Sequence, residues 1–267
     1  MTIRRTWIAA VYFIFTVLLI IPLIEIVRGS WADGWGGFTD ALMRPQSLHA
    51  LGMTGMIVIV VTLINTMFGV MLALYLVRAQ WIGPRIKRLL NSLVDLPFAV
   101  SPIIGGLMIV LLLGPSTVIG AFFEDAGFKV VYALPGMILA TLFVTFPIMV
   151  REVLPVLQEI GAQQEEAAST LGAYSWYTFW KVTWPSIRWG VIYGVVLTVA
   201  RSLGEFGAVL VVSGNIMNKT QTATTLVYQD VENFNVVAAN GVALVLAVFS
   251  VGLLLLMEWA KKRKEVH

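Results

Sequence analysis

Long apolar runs separated by short polar segments set the pattern of this chain. A helix crossing the hydrocarbon core of a bilayer needs about 20 mostly apolar residues. Six stretches reach that length, at about 8–27, 51–77, 89–113, 132–150, 189–213 and 236–258. Helices satisfy their own backbone hydrogen bonds, whereas open strands in lipid leave theirs unmet. The pattern therefore predicts an all-α polytopic membrane protein with six transmembrane helices, forming one membrane domain over 1–267. Pro97 and Pro102 sit inside the third stretch and predict a kink or local break there. The first stretch follows Arg4 and Arg5, and no small-residue cleavage site follows it, so it reads as a retained signal anchor. Segment 28–50 carries Trp31 and Trp35, which suit a membrane interface. Segments 114–131 and 214–235 read as polar, glycine-punctuated connections.

Composition agrees. The chain is 58% hydrophobic and 12% charged, with mean hydropathy +0.86, against about 25% charged residues in soluble domains. It has no cysteine, which excludes disulfides, thiolate metal sites and a cysteine nucleophile. Its two histidines, His49 and His267, are too few for a histidine metal cluster.

The distribution of Lys and Arg predicts orientation. One side of a six-span topology holds thirteen: Arg4, Arg5, Arg78, Arg85, Lys87, Arg88, Arg151, Lys181, Arg188, Lys261, Lys262, Arg263 and Lys264. The other side holds four: Arg28, Arg44, Lys129 and Lys219. Arg201 lies within a span and completes the 18. The split places both termini and the 151–188 loop in the cytoplasm of a multi-pass protein of the cytoplasmic (inner) membrane. Lys261 to Lys264 read as an anchor on anionic lipid, not as a nucleic-acid site.

The loop contains a polar, amphipathic insert, EEAASTLGAYSWYTFWKVTWP, at 165–185. Its composition predicts a short helix from Glu165 to Leu171, a stop at Gly172 and an aromatic second helix running to Pro185. Glu165 and Glu166 favour the positive end of the helix dipole. Ala167 and Ala168 are small enough to admit a partner surface, and Gly172 can take the left-handed conformation that ends a helix. Pro185 limits continuation into the next span. The aromatics alone would equally suit a helix lying on lipid.

The spacing Glu166-Ala167-Ala168, Gly172 and Pro185 resembles the EAA loop of ABC-importer permeases. The segments LVDLPFAVSPIIGGL (93–107), PGMILATLFVTFPIMVREVLPVL (135–157) and VLTVARSLGEFGAVLVVSGNI (196–216) are similar to sulfate/thiosulfate importer permeases, most of all to the W-type subunit. That resemblance implies a type I ABC importer permease (MetI-like) fold and alternating access. It implies a cytoplasmic ABC ATPase dimer docked on the loop through Glu165, Glu166, Ala167, Ala168, Leu171, Gly172 and Pro185. A paralogous permease subunit, forming a heterodimer, and an extracytoplasmic sulfate-binding protein are implied as further partners. ATP and Mg are then used by the ATPase, and this chain binds no cofactor.

Ionisable groups inside spans are costly and are functional candidates. Arg201 and Glu205 are four apart on one helix face and can pair. One reading has Arg201 supply positive potential to an anion route, with Glu205 and Asp95 as its partners. The other makes these groups an ion pair between the third and fifth helices, favoured because a paired Arg offers a dianion little net charge. Ser101, Ser202 and Ser213 are hydroxyl donors that could line the route. Asn65 and Thr62 read as interhelical packing groups, and Gly190 and Gly194 as a site of close helix approach.

No G-x-x-x-x-G-K-[ST] phosphate loop occurs; GNIMNKT at 214–220 lacks the second glycine. The chain is thus expected to be a non-catalytic transport subunit. A permease for another oxyanion such as molybdate, and an ATP-independent secondary transporter, are the alternatives.

Overall fold

A computed structural model describes residues 2–79, 81 and 83–265. His267 and the side chains of Arg4, Arg5, Lys262, Arg263 and Lys264 lie outside what is described. The chain runs through α1 (Thr2–Phe15), a π-helical turn (Thr16–Ile20) and α2 (Ile21–Ser30), then α3 (Gly34–Met43) and α4 (Pro45–Arg78). It continues through α5 (Pro84–Ala99), α6 (Pro102–Leu113), α7 (Val118–Asp125) and α8 (Leu134–Ile160). After α9 (Gln163–Thr170) come α10 (Ser175–Thr178), a second π turn (Phe179–Thr183), α11 (Trp184–Leu203) and α12 (Gly207–Ser213). α13 (Ala223–Glu232) and α14 (Val236–Glu265) close the chain.

Among the described residues, five helices are long and apolar enough to cross a membrane, or six if the bent pair α5 and α6 is one span. The bend between that pair is 109°. Pro97 stays inside α5, and the break falls at Val100 and Ser101, where Pro102 forces an extended residue before it and then opens α6. The fifth predicted span is not one helix either. α11 ends at Leu203, and α12 begins at Gly207. The stretch 189–213 is long and mostly apolar, which predicts one spanning helix; Gly204 and Glu205 are what interrupt it.

α8 is the central helix, packed by α4, α5, α6, α11 and α12. Its Met149 is fully buried between two glycines. A Cβ added at Gly69 of α4 would stand 2.6 Å from Met149 Cγ, and one at Gly194 of α11 would stand 2.6 Å from its Sδ. One thioether thus fills the space left by two missing side chains. Asn65 donates to Thr145 Oγ1 at 2.7 Å one helical turn away, so its role is interhelical packing as expected. α14 flanks this core against α2, α3, α11 and α13.

The segments read as connections are partly helical. Thr222 and Thr225 form a capping box that starts α13. Arg44 grips Asp230 with two nitrogens, at 2.7 and 3.3 Å, tying α13 to the start of α4. Trp31 stacks near Trp35 and Phe38, with centroids 6.2 and 5.2 Å away. The outside of the helix bundle is apolar: Ile59, Leu63, Leu111 and Leu255 are all more than 60% exposed. Such surface belongs in lipid or against another apolar protein.

Gly106 gives a direct test of this packing. A Cβ there would meet Ala208 O at 2.6 Å, a backbone atom that cannot swing aside, whereas Gly52 faces open space. Gly106→Ala is expected to destabilise by about 1–3 kcal/mol in thermal unfolding of the detergent-solubilised protein. Gly52→Ala is expected to leave the midpoint unchanged or raise it.

Candidate functional site: a projecting helix and two facing helix breaks

α9 projects from the end of α8 after Gly161, whose φ of +68° turns the chain. It starts two residues before the predicted Glu165 and ends at Thr170. Ala173 N–H bonds Ala168 O at 3.0 Å and Gly172 N–H bonds Ser169 O at 3.0 Å. With Gly172 at φ +82°, these bonds make a Schellman stop. Glu166, Ala167, Leu171 and Gly172 are exposed, and Leu171 is 88% so. Ala168 is half-buried. Tyr174 and Trp176 extend the exposed surface beyond Gly172.

Glu165 is placed differently from its neighbours. Arg78 Nε donates to its Oε2 at 2.7 Å, and Thr183 donates to Oε1 at 2.8 Å. Arg78 Nη2 also donates to Gly161 O at 2.6 Å. Glu165 therefore braces α9 against α4 and the second π turn instead of facing outward. The helix also passes straight through Pro185. Ser175 to Leu203 is one 29-residue helical run, and the π turn at 179–183 lies just ahead of the proline. A proline clashes with the carbonyl four residues before it, and widening that turn is how this helix continues across the junction that Pro185 is expected to limit.

At the other end of α11, two helix breaks meet. A Cβ on Gly207 would lie 3.1 Å from Ile103 Cγ1 and 3.4 Å from Pro102 Cβ. The α5–α6 elbow and the α11–α12 break are therefore packed together. Ser101 is exposed at the elbow, and its hydroxyl caps nothing. Glu205 is 3% exposed. Its Oε1 accepts the Ala208 N–H at 3.1 Å, holding the start of α12. Arg201 Nη1 stands 2.8 Å from Oε2. That oxygen makes no aligned hydrogen bond among the described residues, so the contact is charge attraction. Thr224 donates to Glu205 O at 2.7 Å, and Phe206 packs on Tyr228, joining the break to α13. Tyr228 also donates to Glu232 at 2.5 Å. That bond, with the carboxylate's charge, holds the phenol above its ordinary pKa.

Ser202 is buried with no hydrogen-bond partner for Oγ among the described residues. Ser213 is fully buried, and its Oγ accepts the Asn215 N–H at 3.1 Å, so it ties a turn and does not face the elbow. Asp95 is not a partner of Arg201. Its carboxylate takes two bonds from Arg151, at 2.8 and 2.5 Å, while Arg151 Nη1 donates to Asn91 at 2.9 Å. The elbow explains this: Asp95 stays on α5, which packs on α8, while the chain beyond Val100 turns toward α12. Sequence reading placed Arg151 in the loop; it lies within α8. The i, i+4 spacing of Asn91 and Asp95 was the available signal for a shared partner. Among the described residues, no group of three or more His, Cys, Asp or Glu is placed to hold a metal ion.

Residues 65–265 match the family described as "Binding-protein-dependent transport system inner membrane component". The chain belongs to this family. It is 44% identical to the sulfate transport system permease protein CysW of Synechocystis over 97% of this chain and 93% of that one. The protein of the same name in Escherichia coli is 37% identical over 93% and 85%. The sulfate transport system permease protein CysT of that bacterium is 35% identical over 89% and 84%. A chain of a bacterial alginate ABC transporter, solved in complex with a pentasaccharide-bound periplasmic protein, superposes with a TM-score of 0.77. It covers 98% of this permease and 96% of that chain, at 18% identity, which shows the shared fold.

Two tests follow from the ion pairs. Arg78→Glu or Glu165→Arg alone is expected to lower sulfate uptake by the reconstituted transporter while ATP hydrolysis continues, and the double swap is expected to restore part of the uptake. Arg201→Gln leaves a buried carboxylate unpaired and is expected to destabilise by about 1–3 kcal/mol. Arg201→Gln with Glu205→Gln is expected to recover most of that loss in the same unfolding assay.

Proposed function

We propose that this chain is one of two permease subunits of an importer for sulfate or thiosulfate, powered by a separate ATPase. The observation that carries the substrate is the 44% identity, over nearly the whole length, to a sulfate permease. The relatives named CysW and CysT in one bacterium are 37% and 35% identical. The oxyanion class is thus better supported than the choice between the two subunit types. A paralogous permease completes the pathway in this reading, and an extracytoplasmic binding protein delivers the anion.

Orientation in this reading follows the Lys and Arg distribution, with both termini and α9 in the cytoplasm. There the exposed Glu166, Ala167, Leu171 and Gly172 meet the ATPase, with Ala168 and the brace of Glu165 behind them. ATP and Mg bind the ATPase, and this chain contributes motion. The continuous run from Ser175 to Leu203 spans about 40 Å at 1.5 Å per residue. It joins the docking surface to the break beside Arg201 and Glu205, where Ser101 and Ser202 flank the route of the anion. A nucleotide shifts the inward–outward equilibrium only through contacts that differ between the two states; the α9–ATPase surface is where they arise.

Gly172 offers the sharpest test, because its surroundings are open and only its backbone conformation constrains it. Gly172→Val forces a β-branched residue to φ +82°, at about 1–3 kcal/mol of local strain. Proteoliposomes holding this chain, its partner permease and the ATPase, supplied with binding protein, are expected to take up radiolabelled sulfate with ATP. The Gly172→Val transporter is expected to assemble and to lose uptake. Molybdate uptake without sulfate uptake would overturn the substrate assignment, and failure to bind an ATPase would overturn the importer reading.

A further inference from the structure

A basic cavity of about 410 Å³ opens between α4, α5 and α8, lined by Leu76, Lys87, Arg88, Asn91, Arg151 and Gln158, with Leu154 at its wall. It is separate from the elbow that holds Arg201 and Glu205. We propose that this cavity is a binding station for a tetrahedral oxyanion dianion on the cytoplasmic side of the transport route. The inference rests on the importer reading for the identity of the ion.

Charge balance is the first argument. Asp95 offsets Arg151. Lys87 and Arg88 have no carboxylate partner among the described residues; Arg88 Nε makes only a 3.4 Å contact with Pro84 O. The cavity thus keeps a net charge of two, which matches a dianion. Preorganisation is the second. Asp95 and Asn91 fix the Arg151 guanidinium from two sides, and Arg151 also donates to Asn91 O at 3.2 Å. Since Asn91 Oδ1 accepts from Arg151 at 2.9 Å, its amide NH₂ is left as a donor, as is that of Gln158. Forked and amide donors of this kind suit tetrahedral oxyanions.

The helix itself distinguishes a free anion from a lipid phosphate. Arg88, Asn91 and Asp95 occupy i, i+3 and i+7 positions on one face of α5. Leu90, Leu93 and Pro97 hold the same spacing two residues later, on the opposite face. Those three line a separate apolar hollow of about 550 Å³. A lipid whose phosphate sat among Lys87, Arg88 and Arg151 would have α5 between its head and that hollow.

The test uses the assembled transporter, with both permeases and the ATPase, in detergent without binding protein. Equilibrium dialysis with radiolabelled sulfate, and separately with molybdate, compares it with K87Q/R88Q and K87R/R88K. Saturable binding of the imported ion is expected, weakened at least about tenfold in K87Q/R88Q and retained in K87R/R88K, with assembly checked by size exclusion. Import of sulfate in proteoliposomes without saturable binding by the wild type would overturn the station and leave the importer reading standing. Binding unaffected by K87Q/R88Q would also overturn it. So would native mass spectrometry showing an anionic phospholipid held by the wild type and lost from K87Q/R88Q. Absence of sulfate and molybdate uptake together with absent binding would overturn both readings.

Discussion

A backbone broken inside an apolar bundle must find partners for the peptide groups that the missing turns expose, and the carboxylate of Glu205 meets that constraint. It stands at the gap between α11 and α12, accepts the Ala208 N–H, and draws the Arg201 charge alongside. Its own carbonyl takes the Thr224 hydroxyl. Without these contacts, a seven-residue helix such as α12 has little reason to persist; isolated helices need about 12–15 residues even for marginal stability. The remainder of α12's support comes from α6, where Gly106 lets the two backbones approach. A buried acid is costly in such a place, and here its cost is offset by organising a non-helical backbone that the fold requires.

The same logic separates the two ends of the molecule. At the α9 end the helix from Ser175 to Leu203 stays continuous, accommodating Pro185 by a π turn. At the other end it stops, and Gly204 and Gly207 flank the break. A stiff lever with a break at one end delivers displacement to the break. The brace from Arg78 to Glu165 and Thr183 fixes α9 to both α4 and that lever, so a push on α9 is carried into two packed helices at once.

The amino-acid pattern showed the apolar helices and the short helix α9 with its glycine stop because both are local signals: sustained hydropathy over about 20 residues, and a glycine after an alanine-rich turn. It was silent where tertiary geometry decides. Asp95 and Arg151 are 56 residues apart, and hydropathy does not say that an elbow will keep Asp95 of α5 against α8 while sending Ile103 to Gly207. Arg201 and Glu205 were paired correctly because i, i+4 spacing is itself local. Glu165 looked like a dipole-favoured surface carboxylate, yet its partner Arg78 lies 87 residues away. Ser213 looked like a route hydroxyl, but its bond to Asn215 depends on a left-handed turn at Gly214.

Electrostatics then give the two breaks and the basic cavity different duties. Arg201 is largely neutralised by Glu205, so on the proposed route the elbow would attract a dianion weakly and not trap it. Lys87 and Arg88 are uncompensated among the described residues, and they sit on the polar face of α5, one side of the same elbow that Pro102 closes on the other. A rotation at Val100 and Ser101 therefore changes the distance between the basic cavity and the α6–α12 contact. If the proposed route runs from the elbow to the basic cavity, positive potential met after the break favours forward movement, since conduction needs sites attractive enough to enter and weak enough to leave. A weak elbow followed by a water-facing basic cavity satisfies both halves of that condition, with solvent screening at the exposed Arg88 providing the release.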